Sequence, residues 1–555
     1  MAIAMAWHKP DNVAGSSAPA IMVGLFVACG GLLFGYDTGT ISGILAMTAF
    51  RDQFSTGYID PKDFKPNVSP AQSSQIVSIL SAGTFFGALL AAPLGDKLGR
   101  RVSLIIAVAI FSFGVLLQTL AMHIPILIGG RFIAGLGVGV VSVLVPLYQS
   151  EMAPKWIRGT LVCAYQLAIT AGLLLAAIVN ILTEGKDNRN AFRIPLALQF
   201  VWAGILLLGL VLLPETPRYL IKRGRHTAAA LSLSRLRRLD ITHPALIEEL
   251  AEIEANHEYE LSLGPSTYHD VFLGSPHLGR RILTGCGLQM LQQLSGCNFI
   301  FYYGTTFFEK IHIRNPFVIQ LITNIVNFVS TLPGMVLVES LGRRRLLMIG
   351  ASGMAVCQLI VASVGTAIPD SYVANVVLIV FVCCYLFFFA ASWGPVVWVV
   401  TSEIYPLKVR AKSMSISTAS NWLLNFAIAY GTPYLVGDAP GLNLQAKVFF
   451  VWGTFCVISL AFVWCLVYET SKISLEQIDE MYERVDHAWN SKSFQPSWSF
   501  QEMRDEGASA SGIQLTEHEE ARRRTGTSAS ATDSDTTMTE EDKIIAQLGD
   551  VDMSY

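Results

Sequence analysis

Hydrophobic positions along the chain gather into long runs separated by short polar loops. A helix that crosses a bilayer needs about 20 predominantly apolar residues. Twelve runs meet that need, near residues 20–46, 71–94, 102–121, 126–149, 159–182, 192–213, 281–308, 316–338, 346–367, 373–400, 411–436 and 446–468. The pattern predicts an all-α membrane protein. Composition agrees: 52% of the 555 residues are hydrophobic and 15% are charged, where soluble domains carry about 25% charged residues. A net charge of −3 argues against a nucleic-acid partner. No signal peptide is read, because the first residues are polar and the first apolar run is too long for an h-region.

The polar segments set the organisation. Lys and Arg concentrate in alternate short loops: Lys97, Arg100 and Arg101; Lys155 and Arg158; Arg343, Arg344 and Arg345; Lys408, Arg410 and Lys412. By the positive-inside rule these loops face the cytoplasm, and both termini then face it too. Residues 1–19 are an N-terminal cytoplasmic tail, 20–213 a first six-helix half and 281–468 a second. Between them, 214–280 turns polar, with a basic stretch at Arg235 to Asp240 and an acidic, helix-periodic stretch at Glu248 to Glu260. That reads as a short cytoplasmic helical linker. Residues 469–555 form a cytoplasmic tail that opens with an amphipathic pattern at Leu475, Ile478, Met481 and Tyr482. Beyond about Asn490 it is rich in Ser, Thr, Asp and Glu, a composition expected to be disordered and open to regulatory partners.

One stretch breaks the apolar rule. From Gly287 to Gly304 the seventh run holds Gln289, Gln292, Gln293, Ser295 and Asn298. Amides in an apolar span need partners, which lipid does not supply. Three and four residues apart, Gln289, Gln292 and Gln293 share one helix face, and Ser295-Gly296 permits a break that brings Asn298 round to it. The stretch reads either as one wall of a site for a neutral, hydroxyl-rich solute or as hydrogen-bonded helix packing. Two charges lie deep in the spans, Asp37 and Arg131, and a buried ion is expensive enough that opposite signs imply compensation. The nine cysteines all fall in apolar segments without CxxC spacing, so packed thiols are expected and no disulfide framework. No nucleophile–base pair, metal cluster or phosphate loop is visible; the chain is expected to be no enzyme and to need neither cofactor nor metal.

The two halves repeat. Leu98-Gly99-Arg100-Arg101 matches Leu341-Gly342-Arg343-Arg344, Glu151 with Arg158 matches Glu403 with Arg410, and Pro214-Glu215-Thr216 echoes Glu469-Thr470, each offset by roughly 250 positions. Such a parallel repeat places a substrate between the halves at the midplane. Asp96 with Gly99-Arg100-Arg101 resembles the loop motif of the major facilitator superfamily. Arg131, Gly135 and Gly139, with Pro146, Tyr148, Glu151 and Arg158-Gly159, resemble its sugar porter signature, as do Pro214 to Arg218, Gln292 to Gly296 and Glu469-Thr470. Ser392 to Trp398 and Asn421 to Asn425 resemble the fungal hexose transporter branch. Tyr468 and Ser471-Lys472 depart from the family pattern at the end of the last span.

The resemblance, over about residues 20 to 485, implies alternating-access uptake of glucose-like hexoses across the plasma membrane, with a proton as the coupling ion. It implies sugar contacts at Gln166, Gln292, Gln293, Asn298, Asn327, Trp398, Asn421 and Asn425. Amides both give and accept hydrogen bonds as hydroxyls do, and an indole stacks on the C–H face of a sugar ring. Phe34, Tyr302 and Tyr303 are candidates to close the outer side. Asp37 and Arg131 read either as a salt bridge between the first and fourth spans or, by analogy with proton-coupled sugar porters, as a proton switch. Arg100, Arg101, Glu151, Arg158, Glu215, Arg218, Arg344, Glu403 and Arg410 are expected to form ion pairs that latch the halves together on the cytoplasmic side. Gly135 and Gly139 are expected to pack helices closely, and Gly394-Pro395 to let the tenth span bend as a gate. Two alternatives stand beside this reading: a proton-independent facilitator of the same fold, and a transporter-like glucose sensor signalling through its tail.

Overall fold

The computed structural model describes residues 14–59, 67–154, 157–186, 188–262, 268–273, 277–310, 315–368, 372–406, 409–436, 444–471, 473 and 475–494. Most of the N-terminal tail, Lys155, Lys408 and the chain beyond residue 494 lie outside these residues, and with them the expectation of a disordered tail. Every spanning helix belongs to one compact unit, which ends at Lys492.

Ten helices among the described residues are long and apolar enough to cross a bilayer. The first six are Ala18–Ile44, Pro70–Leu98, Arg100–Leu120, Ile124–Met152, Arg158–Thr183 and Asn190–Leu212. The eighth, ninth, tenth and twelfth spans are Pro316–Ser340, Arg343–Ala367, Tyr372–Glu403 and Gln445–Leu466. The seventh and eleventh fall short of that standard because they carry the polar residues. The seventh is split into Leu278–Leu294 and Cys297–Lys310, and the eleventh runs from Arg410 to Val436 through Ser413, Ser415, Ser417, Thr418, Asn421 and Asn425. With them the chain is an all-α, multi-pass membrane protein of twelve spans. The short helices Pro217–Lys222, His226–Arg237, Pro244–Ser262 and Tyr268–Leu273 join the sixth span to the seventh at what is called here the linker end.

Local chemistry sets the boundaries. Ser69 caps the second span: its hydroxyl accepts from the Gln72 N–H while the Gln72 side chain accepts from the Ser69 N–H, and Pro70 stands at the first helical position. The second and fourth spans cross where Gly83 and Gly87 meet Gly135 and Gly139. A Cβ on Gly139 would stand 2.8 Å from the Gly87 Cα, so small residues are what let the backbones approach.

The break expected at Ser295-Gly296 is present. Gly296 has φ +84°, which ends one helix at Leu294 and restarts another at Cys297. In the tenth span, Phe389–Trp393 is a turn of π-helix immediately before Gly394-Pro395. Such turns widen a helix at functional sites and leave carbonyls free to accept other donors.

The break at Gly296 is testable. A Cβ there would stand 2.6 Å from the Trp452 ring, and a left-handed φ costs a non-glycine residue about 1–3 kcal/mol. Gly296→Ala should therefore lower the unfolding temperature of the purified protein by several degrees; an unchanged melting curve would contradict the break as a constrained feature.

Candidate functional site

A cavity lies between the two halves. The first half lends Phe34, Gly35, Thr38, Gln166, Ile169 and Leu173 from the first and fifth spans. The second lends Gln292, Gln293, Cys297, Asn298 and Phe301 from the broken seventh, Phe389 and Trp398 from the tenth, and Asn421 and Trp422 from the eleventh. It encloses ≈ 520 Å³ of atom-free space, the part open to solvent included. No charged residue is among those lining it.

Its amides form one network. Asn421 is the hub: its Nδ2 donates to Gln289 Oε1 at 2.7 Å and Gln292 Oε1 at 2.9 Å, and its Oδ1 accepts from Gln293 Nε2 at 2.8 Å. Asn298 donates to Gln293 Oε1, so the break at Gly296 does bring it back to the glutamine face. Gln292 donates to the carbonyls of Trp393 at 2.8 Å and Gly394 at 3.1 Å, where the π-turn gives way to α-helix. Ser295, at the break, is fixed from behind: its carbonyl accepts from Gln358 at 2.6 Å and Tyr385 at 3.1 Å. Two indoles frame the chamber. Trp398 meets Tyr165 edge-on at 6.0 Å. Trp422 meets Phe34 edge-on at 4.9 Å and donates to Ser142 of the first half at 3.2 Å.

Not every expected contact reaches the cavity. Asn425 stands one layer back, accepting from Ser81 at 2.7 Å and Tyr302 at 3.0 Å and donating to Gln293 at 3.4 Å. Asn327 is buried away from the lining, and neither its Nδ2 nor its Oδ1 has a hydrogen-bond partner among the described residues. Tyr302 and Tyr303 sit in an apolar cluster with Ile41, Ile44 and Phe50 at the end away from the linker. Trp422, Phe301 and Phe389 were absent from the expected site; aromatics in apolar runs carry no signal that separates lining from packing.

Contacts between the halves flank the cavity on both sides. Away from the linker, Ser42 and Thr305 hydrogen-bond at 3.3 Å and Asn324 donates to the Leu173 carbonyl at 3.2 Å. At the linker end, Thr160 donates to the Met335 carbonyl at 3.4 Å.

Asp37 and Arg131 are both fully buried and 3.5 Å apart. Arg131 Nε donates to the Ile76 carbonyl at 2.6 Å, and Gln199 of the sixth span donates to Asp37 Oδ1 at 3.2 Å. Gln199 was not anticipated, although a lone amide in an apolar run is a visible signal. The terminal guanidinium nitrogens have no hydrogen-bond partner among the described residues, so the pair is held by charge more than by hydrogen bonds.

The linker-end network corrects an expectation. In the first half, Glu215 accepts from the backbone N–H groups of Arg100 at 3.1 Å and Arg101 at 3.0 Å, and Arg100 pairs with Glu151 at 3.0 Å. In the second, Glu469 accepts from the N–H groups of Arg343 at 2.8 Å and Arg344 at 3.1 Å, and Arg343 pairs with Glu403 at 2.9 Å. Gly99 and Gly342, at φ +90° and +87°, turn each chain the same way. Thus Arg343, not Arg344, is the ionic partner; Arg344 donates to the Trp464 carbonyl at 3.0 Å, as Arg101 donates to that of Leu210 at 2.9 Å. Among the described residues these pairs join groups of one half, so they brace each half. Arg410 donates to the Tyr405 carbonyl at 3.2 Å, Arg158 opens the fifth span, and Arg218 lies half-buried in the first turn after Thr216. Beside the Thr160–Met335 bond, Gly159 also meets the second half: an added Cβ there would run into the Glu339 carboxylate and stand 2.8 Å from the Arg343 guanidinium. Burial raises the pKa of Glu215 above the ordinary carboxyl range, while the Thr216 and Arg101 N–H groups pull it down.

Residues 23–482 match the family model described as "Sugar (and other) transporter". The chain is 68% identical to the probable glucose transporter rco-3 of Neurospora crassa over 93% of its own length and 88% of that protein's. It is 43% identical to the high glucose sensor RGT2 of Saccharomyces cerevisiae, over 86% of its own length and 63% of that protein's. Among solved structures it resembles the proton:xylose symporter XylE bound to 6-bromo-6-deoxy-D-glucose, with a TM-score of 0.73, 27% identity and 84% and 100% of the two chains covered. Against the inward-open XylE of E. coli the TM-score is 0.64, with 27% identity and 83% and 99% covered.

Removing one partner of a buried ion pair strands the other, at about 3–5 kcal/mol. Arg131→Met and Asp37→Asn should each lower the unfolding temperature, and Asp37→Asn/Arg131→Met should melt above the Arg131→Met single variant. Strictly additive losses in the double variant would contradict the pairing.

Proposed function

The chain belongs to the sugar transporter family of the major facilitator superfamily, and on that premise we propose that it carries glucose-like hexoses inward by alternating access, with a proton as coupling ion. One observation supports this above the others: a cavity between the halves, lined by uncharged amides and an indole, with contacts between the halves on either side of it. The network of Gln292, Gln293, Asn298 and Asn421 presents donors and acceptors in equal measure. A hexose replaces amide–amide bonds with amide–hydroxyl bonds, and the Trp398 ring covers its C–H face. Gln166 completes the wall from the first half.

Proton coupling is read from Asp37. Held by Arg131 at 3.5 Å and Gln199 at 3.2 Å, its charge ties the first, fourth and sixth spans together. A proton on that carboxylate removes the attraction and loosens the first half, so movement of the half is linked to proton uptake. The Lys/Arg bias of alternate loops supports an orientation with the linker end and both termini on the cytoplasmic side of the plasma membrane. Regulatory partners at the tail belong to the same reading. A sensor role is the second reading, favoured by the identity to RGT2; it keeps sugar binding and dispenses with flux.

Labelled glucose uptake in cells lacking their own hexose transport tests this. The chain should restore uptake, a protonophore should abolish accumulation, and Asp37→Asn should lose accumulation while retaining exchange. Gln293→Ala should raise KM about tenfold, equal to about 1.4 kcal/mol, with unchanged surface protein. Sugar binding without flux would favour the sensor; uphill uptake unmoved by Asp37→Asn would sink the coupling role.

A further inference from the structure

The helix Leu475–Arg484 follows the twelfth span and is docked on the linker end of the second half. Ile478, Met481 and Tyr482, three and four residues apart, form its buried face. Tyr468, where the chain departs from the family pattern, stacks on Tyr482 at 4.4 Å and donates to the Val485 carbonyl at 2.7 Å. Arg280 lies over the Tyr468 ring and donates to the Asp486 carbonyl at 2.8 Å. Beyond the helix, Ser491 accepts from the Glu469 N–H at 3.0 Å, which ties the segment back to the brace.

Arg281 stands beneath this helix, fully buried. Its guanidinium lies over the Tyr482 ring at 4.2 Å and pairs with Asp479. The same nitrogen, Nη1, donates to the carbonyl of Ile404, the residue that caps the tenth span, at 3.3 Å. Nε and Nη2 have no hydrogen-bond partner among the described residues, so the buried charge rests on Asp479 and the Tyr482 ring. A buried ion that loses its partner is stranded. The helix and the Arg281 side chain therefore hold their places together. Arg281 also belongs to Leu278–Leu294, the helix that bears Gln292 and Gln293. It precedes Gln292 by eleven residues, roughly 16 Å along a helix. Ile404 follows Trp398 by six residues, roughly 9 Å. Gln292 and Trp398 both line the central cavity. The Arg281–Ile404 bond thus joins, at the linker end, the same two spans that meet around that cavity.

We propose that Arg281 is a positioning residue that couples the central site to the docked helix. A sugar between Gln292 and Trp398 draws the seventh and tenth spans together at mid-depth, and the docked helix holds them together at the linker end, so the two favour one arrangement. The coupling rests on reading the cavity as a sugar site. Linkage makes it act both ways: bound sugar tightens the helix, and a released helix weakens sugar binding by the same factor. The helix then reports sugar occupancy at the linker end.

The test uses the purified full chain carrying Ile478→Cys, a thiol covered while the helix is docked. Its alkylation is read at that position by mass spectrometry, and equilibrium binding of labelled D-glucose is measured on the same preparations. D-glucose should slow alkylation about fivefold, the low end of couplings between sites, and L-glucose should leave it unchanged. With Arg281→Gln or Asp479→Asn added, alkylation should be faster and indifferent to D-glucose, and the Kd for D-glucose should rise about fivefold. Asp479 is partly exposed, so its variant carries the comparison if Arg281→Gln fails to fold. D-glucose that binds yet leaves alkylation unmoved, or speeds it, would overturn the coupling. Variants that alkylate faster but bind D-glucose as tightly as the parent would overturn it too and leave Arg281 as plain packing. A parent chain that binds no D-glucose would remove the sugar reading itself, a result distinct from binding that the helix ignores.

Discussion

An amide buried in a lipid-bathed bundle must find a partner, and everything in the middle of this protein follows from that demand. Gln289, Gln292, Gln293, Asn298 and Asn421 satisfy one another when no solute is present, through bonds of 2.7–2.9 Å at the Asn421 hub. Such bonds are exchangeable: an amide–amide bond and an amide–hydroxyl bond have similar net worth, about 1 kcal/mol. A polyol can therefore enter without stranding any group, whereas an apolar solute would leave several donors and acceptors bare. Neutrality matters as much, since no lining residue carries a charge that would have to be desolvated with each cycle.

The helices are shaped around that network. The break at Gly296 returns Asn298 to the glutamine face, and carbonyls at the end of the π-turn at Phe389–Trp393 hold Gln292. Both distortions lie in the second half, which supplies nine of the fifteen lining residues. The first half supplies the ion pair instead. At the linker end the two halves carry the same brace, Arg100 with Glu151 and Glu215, Arg343 with Glu403 and Glu469. Each brace ties together groups of its own half, while the polar contacts across the halves around the cavity are neutral hydrogen bonds beside aromatic packing. Halves braced within and joined by such contacts suit a rocking motion around a central site.

Much of this was legible in the chain. All twelve spans stand out as apolar runs, including the two whose polar content takes them below a strict apolar standard, because Leu288, Leu291, Leu294 and Phe299 still surround the amides of the seventh. The Ser295-Gly296 break and the closeness of Asp37 to Arg131 also followed from residue type and spacing. Less legible was anything that depends on helix rotation. Arg343 and Arg344 are identical in the text, and only the turn set by Gly342 decides which of them faces Glu403. The same applies to Asn425 and Asn327, whose amides stand behind or beside the cavity while Asn421 faces it. Gln199 carries a partner role that its solitary place in an apolar run only hinted at.

The most direct test of the exchangeable-amide account is an experimental structure of the protein with bound D-glucose. The account predicts sugar between the fifth, seventh, tenth and eleventh spans, its hydroxyls bonded to Gln166, Gln292, Gln293 and Asn298, with the Gln293–Asn298 bond opened. Glucose bound elsewhere, or bound there with every amide–amide bond intact, would contradict it.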